Sequence, residues 1–360
     1  MTQPEPDVVG GVDTHGATHH AALIDARLGR HLADRQFPAT AAGYRELAAW
    51  LRRHGHVVAV GVEGTGSYGA GLARHLAEAG IAVVEVDRPD RKTRRAEGES
   101  DPIDAYAAAT AVASGRASGA PKTRTGAVEA IRVLRIARSS AVKARTQAVN
   151  QIRALLVTAP APLREHLAGM TRPTLVRTLA RTRPGTDLSD PGNAAKTALR
   201  HLARRHQDLD AEITELDAAI APLVHHANPA LLAIYGLGPE TAGQLLTTAG
   251  QNPQRLASEA AFAHLCGVAP KPASSGRTQR HRLSRGGDRQ ANAALYHIAI
   301  VRMSHHQPTR DYIARRTQEG LSKLEIIRCL KRYIAREVYH ALTTQPPAQT
   351  HRTTPPELAA

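Results

Sequence analysis

Asp7-Val8-Val9-Gly10-Gly11-Val12-Asp13 is an apolar run of strand length that ends on a carboxylate, and Val57-Val58-Ala59-Val60-Gly61-Val62-Glu63 repeats the arrangement further along the chain. Short β-branched runs bounded by glycine and acidic residues read as buried strands. Between the two lie further strand-like stretches at His20 to Asp25 and His31 to Phe37. Ala41 to His54 then carries Tyr44, Leu47, Ala48 and Leu51 at helical spacing and stops at Gly55. After Glu63-Gly64-Thr65-Gly66, a helix is expected over Tyr68 to Ala79, a strand over Ile81 to Val86, a basic loop from Arg88 to Arg95, and a helix from Asp101 to Ser114.

Three strands, then helix, strand, helix, strand, helix is the element order of an RNase H-like (RuvC-like) α/β domain, expected here over residues 1–115. In that order Asp13 and Glu63 close two strands, and open α/β sheets place their sites at strand carboxyl ends. Asp101 and Asp104, three apart at a helix start, share a face. Singly, Asp101 reads as a helix cap and Asp13 as a turn residue. Together the four carboxylates form a set of hard oxygen ligands suited to Mg²⁺ or Mn²⁺. Two such ions over one phosphodiester stabilise both the attacking and the leaving oxygen.

The charge agrees with a polyanionic partner. Lys+Arg 47 against Asp+Glu 32 leaves +15, with a sequence pI near 10.4. Arginine, whose planar fork matches phosphate oxygens in pairs, far outnumbers lysine. Residues 116–210 and 270–340 are basic, whereas 1–115 and 211–269 are acidic, as expected of a nucleic-acid-facing surface beside an acidic metal site. Cys266 and Cys329 are the only cysteines and form no CxxC pair, which argues against a disulfide scaffold or a thiolate zinc site. The histidines lack zinc-motif spacing and read as solvated or packing residues. With no long apolar run and no apolar leader, the chain is expected to be soluble and cytoplasmic, without a membrane partner.

Residues 116–227 read as a basic helical coiled-coil or dimerisation region. Leu199, Leu202, His206, Leu209, Ile213, Leu216, Ile220 and Leu223 follow a heptad seam. Val128 to Leu156 is a second long helix, studded with Arg132, Arg135, Arg138, Lys143, Arg145 and Arg153. These charges read either as a solvated coiled-coil face or as a phosphate-contacting one. A Pro- and Arg-rich join from Pro160 to Pro191 connects the two helices into a hairpin, within one chain or between two. Residues 228–342 read as a mostly helical final domain. Gly236-Leu237-Gly238-Pro239 is its helix-to-helix turn, which could hold a phosphate at a helix N-terminus. A Gly- and Pro-rich basic loop holds Ser274, Ser275 and Gly276, with Arg277, Arg280, Arg282, Arg285 and Arg289 around it. That loop reads as a linker, or as a hydroxyl nucleophile presented among guanidinium groups. Residues 343–360 read as a disordered tail.

Taken together, Gly11-Val12-Asp13-Thr14-His15, Val62-Glu63-Gly64-Thr65-Gly66, Ser100-Asp101-Pro102-Ile103-Asp104-Ala105, the Gly-Leu-Gly-Pro turn and Ser274-Ser275-Gly276 followed by Arg285-Gly286-Gly287-Asp288-Arg289-Gln290-Ala291-Asn292 resemble the DEDD-class insertion-sequence transposases related to the Piv DNA invertase, a family of bridge-RNA-guided recombinases. The resemblance runs from Val9 to about Leu342 and makes the last region a transposase domain. It implies a DNA transposase that cuts and rejoins strands through a covalent phosphoserine on Ser275, with Ser274 as the rival nucleophile. It further implies Mg²⁺ or Mn²⁺ at Asp13, Glu63, Asp101 and Asp104. The implied partners are donor and target DNA, a structured guide RNA and further copies of the chain in a dimer or tetramer, and the implied setting is the prokaryotic nucleoid. Departures from the family pattern are Gly16, Glu99 and Ala293, where basic residues are common. The rival readings are a metal-only endonuclease of the Holliday-junction-resolvase type and a non-catalytic RNA- or DNA-binding scaffold.

Overall fold

The computed structural model describes residues 5–86, 100–276, 281–282, 284 and 286–344. Arg277, Arg280 and Arg285, the basic loop 88–95 and the tail from residue 345 lie outside the described residues. The chain divides into two compact units where the sequence suggests three ordered regions: residues 1–124 with 249–257, and residues 125–248 with 258–360. The long hairpin and the C-terminal helices share the second unit. One reason is direct packing, since the backbone at Gly243 lies against Ile131, Arg135 and Val224.

The first unit is built on a mixed sheet of β1 (Asp7–Thr14), β2 (Thr18–Asp25), β3 (His31–Pro38), β4 (His56–Glu63) and β5 (Val83–Val86), in the order β3-β2-β1-β4-β5. β2 is antiparallel to β1 and β3, whereas β4 is parallel to β1 and β5. This five-stranded mixed sheet is compatible with the RNase H-like domain expected from the sequence. Side chains alternate across a strand, and the alternation separates structure from site. Val8 and Val12 of β1 and Val60 and Val62 of β4 enter one core with Leu47, Trp50 and Leu51 of helix α1 (Ala41–Arg52) and Leu72 and Leu76 of α2 (Ala70–Glu78). Val9, Gly11 and Asp13 face the other way, toward α3 (Asp101–Ala113), where Val9 and Ile24 pack on Ala109.

The second unit opens with two long helices, α4 (Gly126–Thr158) and α7 (Pro191–Ala227), packed antiparallel within one chain. Leu199, Ile213 and Ile220 of the predicted seam are buried; Leu202, His206, Leu209, Leu216 and Leu223 are half-buried. The stretch read as a plain join holds α5 (Ala161–Leu167) and α6 (Arg172–Ala180), each with proline in its first turn, where the missing N–H costs nothing. Leu167, Val176 and Leu179 close a core with Ile152 and Leu199 at that end of the hairpin. The chain continues through α8 (Pro229–Ala233), α9 (Pro239–Ala249), a 3₁₀ turn at Pro253–Arg255 and α10 (Glu259–Leu265). A two-stranded ribbon, β6 (Lys271–Pro272) and β7 (His281–Arg282), precedes α11 (Arg289–His305), α12 (Gln307–Gln318) and α13 (Lys323–Thr344). α13 therefore includes Thr343 and Thr344, which the sequence reading placed in the tail. Among the described residues, no helix is long and apolar enough to cross a membrane.

Candidate metal centre and serine hairpin

The acidic residues meet because glycine on the sheet lets the helix backbone come close. A Cβ at Gly11 would lie 2.1 Å from the Ala105 carbonyl oxygen and 2.3 Å from the Ala109 nitrogen, and one at Gly61 would lie 2.8 Å from the Ala108 carbonyl oxygen. Ala105, Ala108 and Ala109 of α3 are buried against this strip, so small residues on both sides bring the first turn of α3 to the end of β1. Val12 pairs with Val62, which sets Asp13 and Glu63 at the ends of neighbouring strands, both buried. The Thr14 hydroxyl donates to the Glu63 carbonyl at 2.9 Å and ties the two strand ends together.

Burial pushes the Asp13 carboxyl above its ordinary value; His15 pulls it back, and the charges of Glu63, Asp104 and Asp101 push it up again. The charges of the other three predicted carboxylates are thus felt at Asp13. The tightest cluster differs from the predicted quartet. One ligand atom each from Asp13, His15 and Asp101 lie within 4.8 Å of one another, with His15 Nδ1 3.6 Å from Asp13 Oδ2. His15 was missed in the sequence because it was judged by zinc-motif spacing; the signal was its place two residues after Asp13, on the turn that leaves the strand.

Of the basic residues on α4, four are held by carboxylates of the same chain. Arg132 pairs with Glu129, Arg135 with Glu240, Arg138 with Asp217 and Glu240, and Arg145 with Asp210. Lys143 and Arg153 are exposed. At the Gly-Leu-Gly-Pro turn, the Gly238 N–H already donates to Thr241 Oγ1 at 3.1 Å.

Ser274 and Ser275 are exposed on the loop that joins β6 to β7, and Gly276 takes φ +56°, a conformation that favours glycine. The base of this hairpin is tightly held. Asn292 donates to the Cys266 and Gly267 carbonyls at 3.1 and 2.9 Å, and Asp288 caps α11 by accepting from the N–H groups of Gln290 and Ala291. Cβ atoms at Gly267 and Gly287 would each lie 2.6 Å from a backbone oxygen. The late Gly-Gly-Asp and Asn residues thus anchor the serine loop. Of the basic residues predicted around it, Arg282 and Arg289 are described and both are exposed.

Two family models match in succession along the chain. The DEDD_Tnp_IS110 model, described as Transposase, covers residues 10–159, and the model described as Transposase IS116/IS110/IS902 family covers residues 228–314. Over these two stretches the chain is similar to the IS110 family of transposases. The first match holds all four acidic residues and the second holds Ser275. Among curated relatives, the insertion element IS110 uncharacterized 43.6 kDa protein of Streptomyces coelicolor is 32% identical over 154 residues, which is 41% of this chain and 36% of that protein. The insertion element IS900 uncharacterized 42 kDa protein of Mycobacterium paratuberculosis is 29% identical over 141 residues, 38% of this chain and 35% of that one. The matched segment spans about a third of the length of each of these relatives.

Proposed function

We propose that this chain cuts and rejoins DNA strands as a metal-dependent transposase, with Ser275 as the nucleophile and Asp13, Glu63, Asp101, Asp104 and His15 around the metal. The observation that supports the reading is the cluster of Asp13, His15 and Asp101 at one end of the sheet, with Glu63 at the end of the neighbouring strand. Carboxylate oxygens suit Mg²⁺ or Mn²⁺, and the imidazole of His15 shifts the preference toward Mn²⁺. A divalent ion bound there supplies charge neutralisation at the scissile phosphate and favours the ionised serine hydroxyl.

The bonds exchanged balance. Ser275 Oγ gives up its proton and bonds to phosphorus, the bond from phosphorus to the 3′ oxygen breaks, and that oxygen leaves as a 3′ hydroxyl. Attack by the 3′ hydroxyl of another strand reverses the exchange and returns a proton to Ser275. Because the phosphoserine conserves the phosphodiester bond energy, no nucleotide cofactor is required.

In this reading the serine loop of one copy serves the acidic centre of another, within a dimer or tetramer. A structured guide RNA selects donor and target DNA by base pairing, while the protein grips backbones by shape and charge. The test is trapping with a suicide DNA substrate and Mn²⁺. A protease-sensitive protein–DNA adduct is expected, abolished by Ser275→Ala and retained by Ser274→Ala; Asp13→Ala should bind DNA without cutting it. Cleavage that survives Ser275→Ala with no adduct would assign the chemistry to activated water. Sequencing the RNA that co-purifies tests guidance, and random cellular RNA would count against it.

A further inference from the structure

Beside the serine hairpin, the second unit contains a cavity of about 630 Å³ whose lining includes Arg282 of β7, Arg316 of α12, and Arg328, Lys331 and Arg332 of α13, against one carboxylate, Glu325. Such a volume falls in the range of ligand pockets. Lys331 is the informative member. Its side chain is only 7% exposed, and its ammonium donates to Asn292 Oδ1 at 2.9 Å, which occupies one of three donors. Burial, and then the charge of Arg328, pulls it below the ordinary lysine range. A buried ammonium is costly unless an anion accompanies it.

Two of the guanidinium groups nearby are held from outside the cavity, Arg316 by Glu319 and Arg332 by Glu259 at 2.5 Å, whereas Arg328 lies 3.7 Å from Glu325 of the lining. Glu325, which does line it, is engaged by the Ser322 hydroxyl at 2.7 Å. Arg282 and His281 join the lining from the strand that leaves the serine loop, and Gly267 to Pro270 from the segment that enters it. A ligand in the cavity would therefore lie alongside the base of the hairpin that presents Ser275.

We infer that this cavity receives a backbone phosphate of the nucleic-acid strand brought to Ser275, with Lys331 and Arg282 as its principal contacts. The inference rests on the function proposed above, but its test needs no chemistry. Binding of a short DNA duplex, the matching single strand and the matching RNA would be measured by fluorescence anisotropy in EDTA, across a salt series, for full-length Ser275→Ala protein with and without Arg282→Ala or Lys331→Met. Each added substitution should lower the slope of log affinity against log salt by about 0.9 on duplex or about 0.7 on a single strand, equally for unrelated sequences. A slope lost on either DNA supports the inference, since the strand brought to Ser275 is DNA, whereas a slope lost on the RNA alone overturns it. Arg282 is exposed on a two-residue strand, so Arg282→Ala keeps the fold and decides the matter if Lys331→Met unfolds. Unchanged slopes in all arms overturn the inference. A lost slope from a protein whose Ser275 form makes no adduct would leave the cavity standing and remove the nucleophile.

Discussion

Gly11 carries no functional group, yet the acidic centre depends on it. Its Cβ site is occupied by the backbone of α3, whereas a Cβ at Gly10, on the opposite face, would meet only side-chain ends of Leu51 and Val60 at 3.2 Å. Gly11→Ala should therefore cost on the order of 3 kcal/mol in urea unfolding and weaken Mn²⁺ binding, while Gly10→Ala costs about 1 kcal/mol. Equal costs would mean that α3 yields easily. His19 gives a pH signature. It is fully buried in β2 and stacked on Tyr44 with ring centroids 5.6 Å apart. Burial, opposed by the Thr18 backbone and aided by His15, holds it below its ordinary value of 6.5. The unfolded chain then takes up the proton first as pH falls. His19 therefore contributes stability that is complete above about pH 6.5 and declines below it, down to the folded-state value. Melting curves from pH 8 to 5 should fall less steeply for His19→Phe than for the parent; identical curves would show that His19 is not the group titrating.

At the scale of elements, the α4–α7 hairpin has two sources of cohesion, an apolar seam and a row of ion pairs. Arg138 is largely buried while its partner Asp217 is 45% exposed, so solvent screening keeps the pair to about 1 kcal/mol. Arg138→Ala should lower stability by about that amount and leave the salt slope of DNA binding unchanged. Lys143→Ala, at an exposed position of the same helix, should do the opposite, lowering the slope by about one with a stability change within roughly 0.5 kcal/mol. The reverse outcome would mean that α4 presents Arg138 to phosphates after all. Heptad spacing made this hairpin legible, because a seam must repeat. The pairing of its arginines was not, because Asp210, Asp217 and Glu240 lie far along the chain and the spacing of charges on one helix does not reveal which carboxylates will meet them.

At the scale of the whole molecule, the chain enters the first unit twice. Residues 249–257 join residues 1–124, and Arg255 anchors them by pairing with Glu85 at 3.2 Å and donating to the Ala120 carbonyl at 2.9 Å. Asn252 binds the Pro121 carbonyl and the Thr123 N–H, Gly119 bridges to β5 at Glu85, and Glu85 also accepts from Thr65, just after Glu63. Arg255→Ala should cost amide-exchange protection at residues 119–123 and 249–257 while leaving the α4–α7 hairpin protected. Unaltered protection would show that apolar packing alone seats the segment. Local pattern determined the five strands of the sheet, the helices of the first unit, the two long helices of the hairpin and the carboxylates at strand ends, since periodicity and turn chemistry act over a few residues and leave their mark in order. Only the tertiary structure decided that His15 joins Asp13 and Asp101, that most of the α4 arginines are neutralised, that Lys331 lines a basic cavity and that a segment after α9 belongs to the first unit. Each of these depends on which distant backbones approach closely, and that follows from packing in three dimensions.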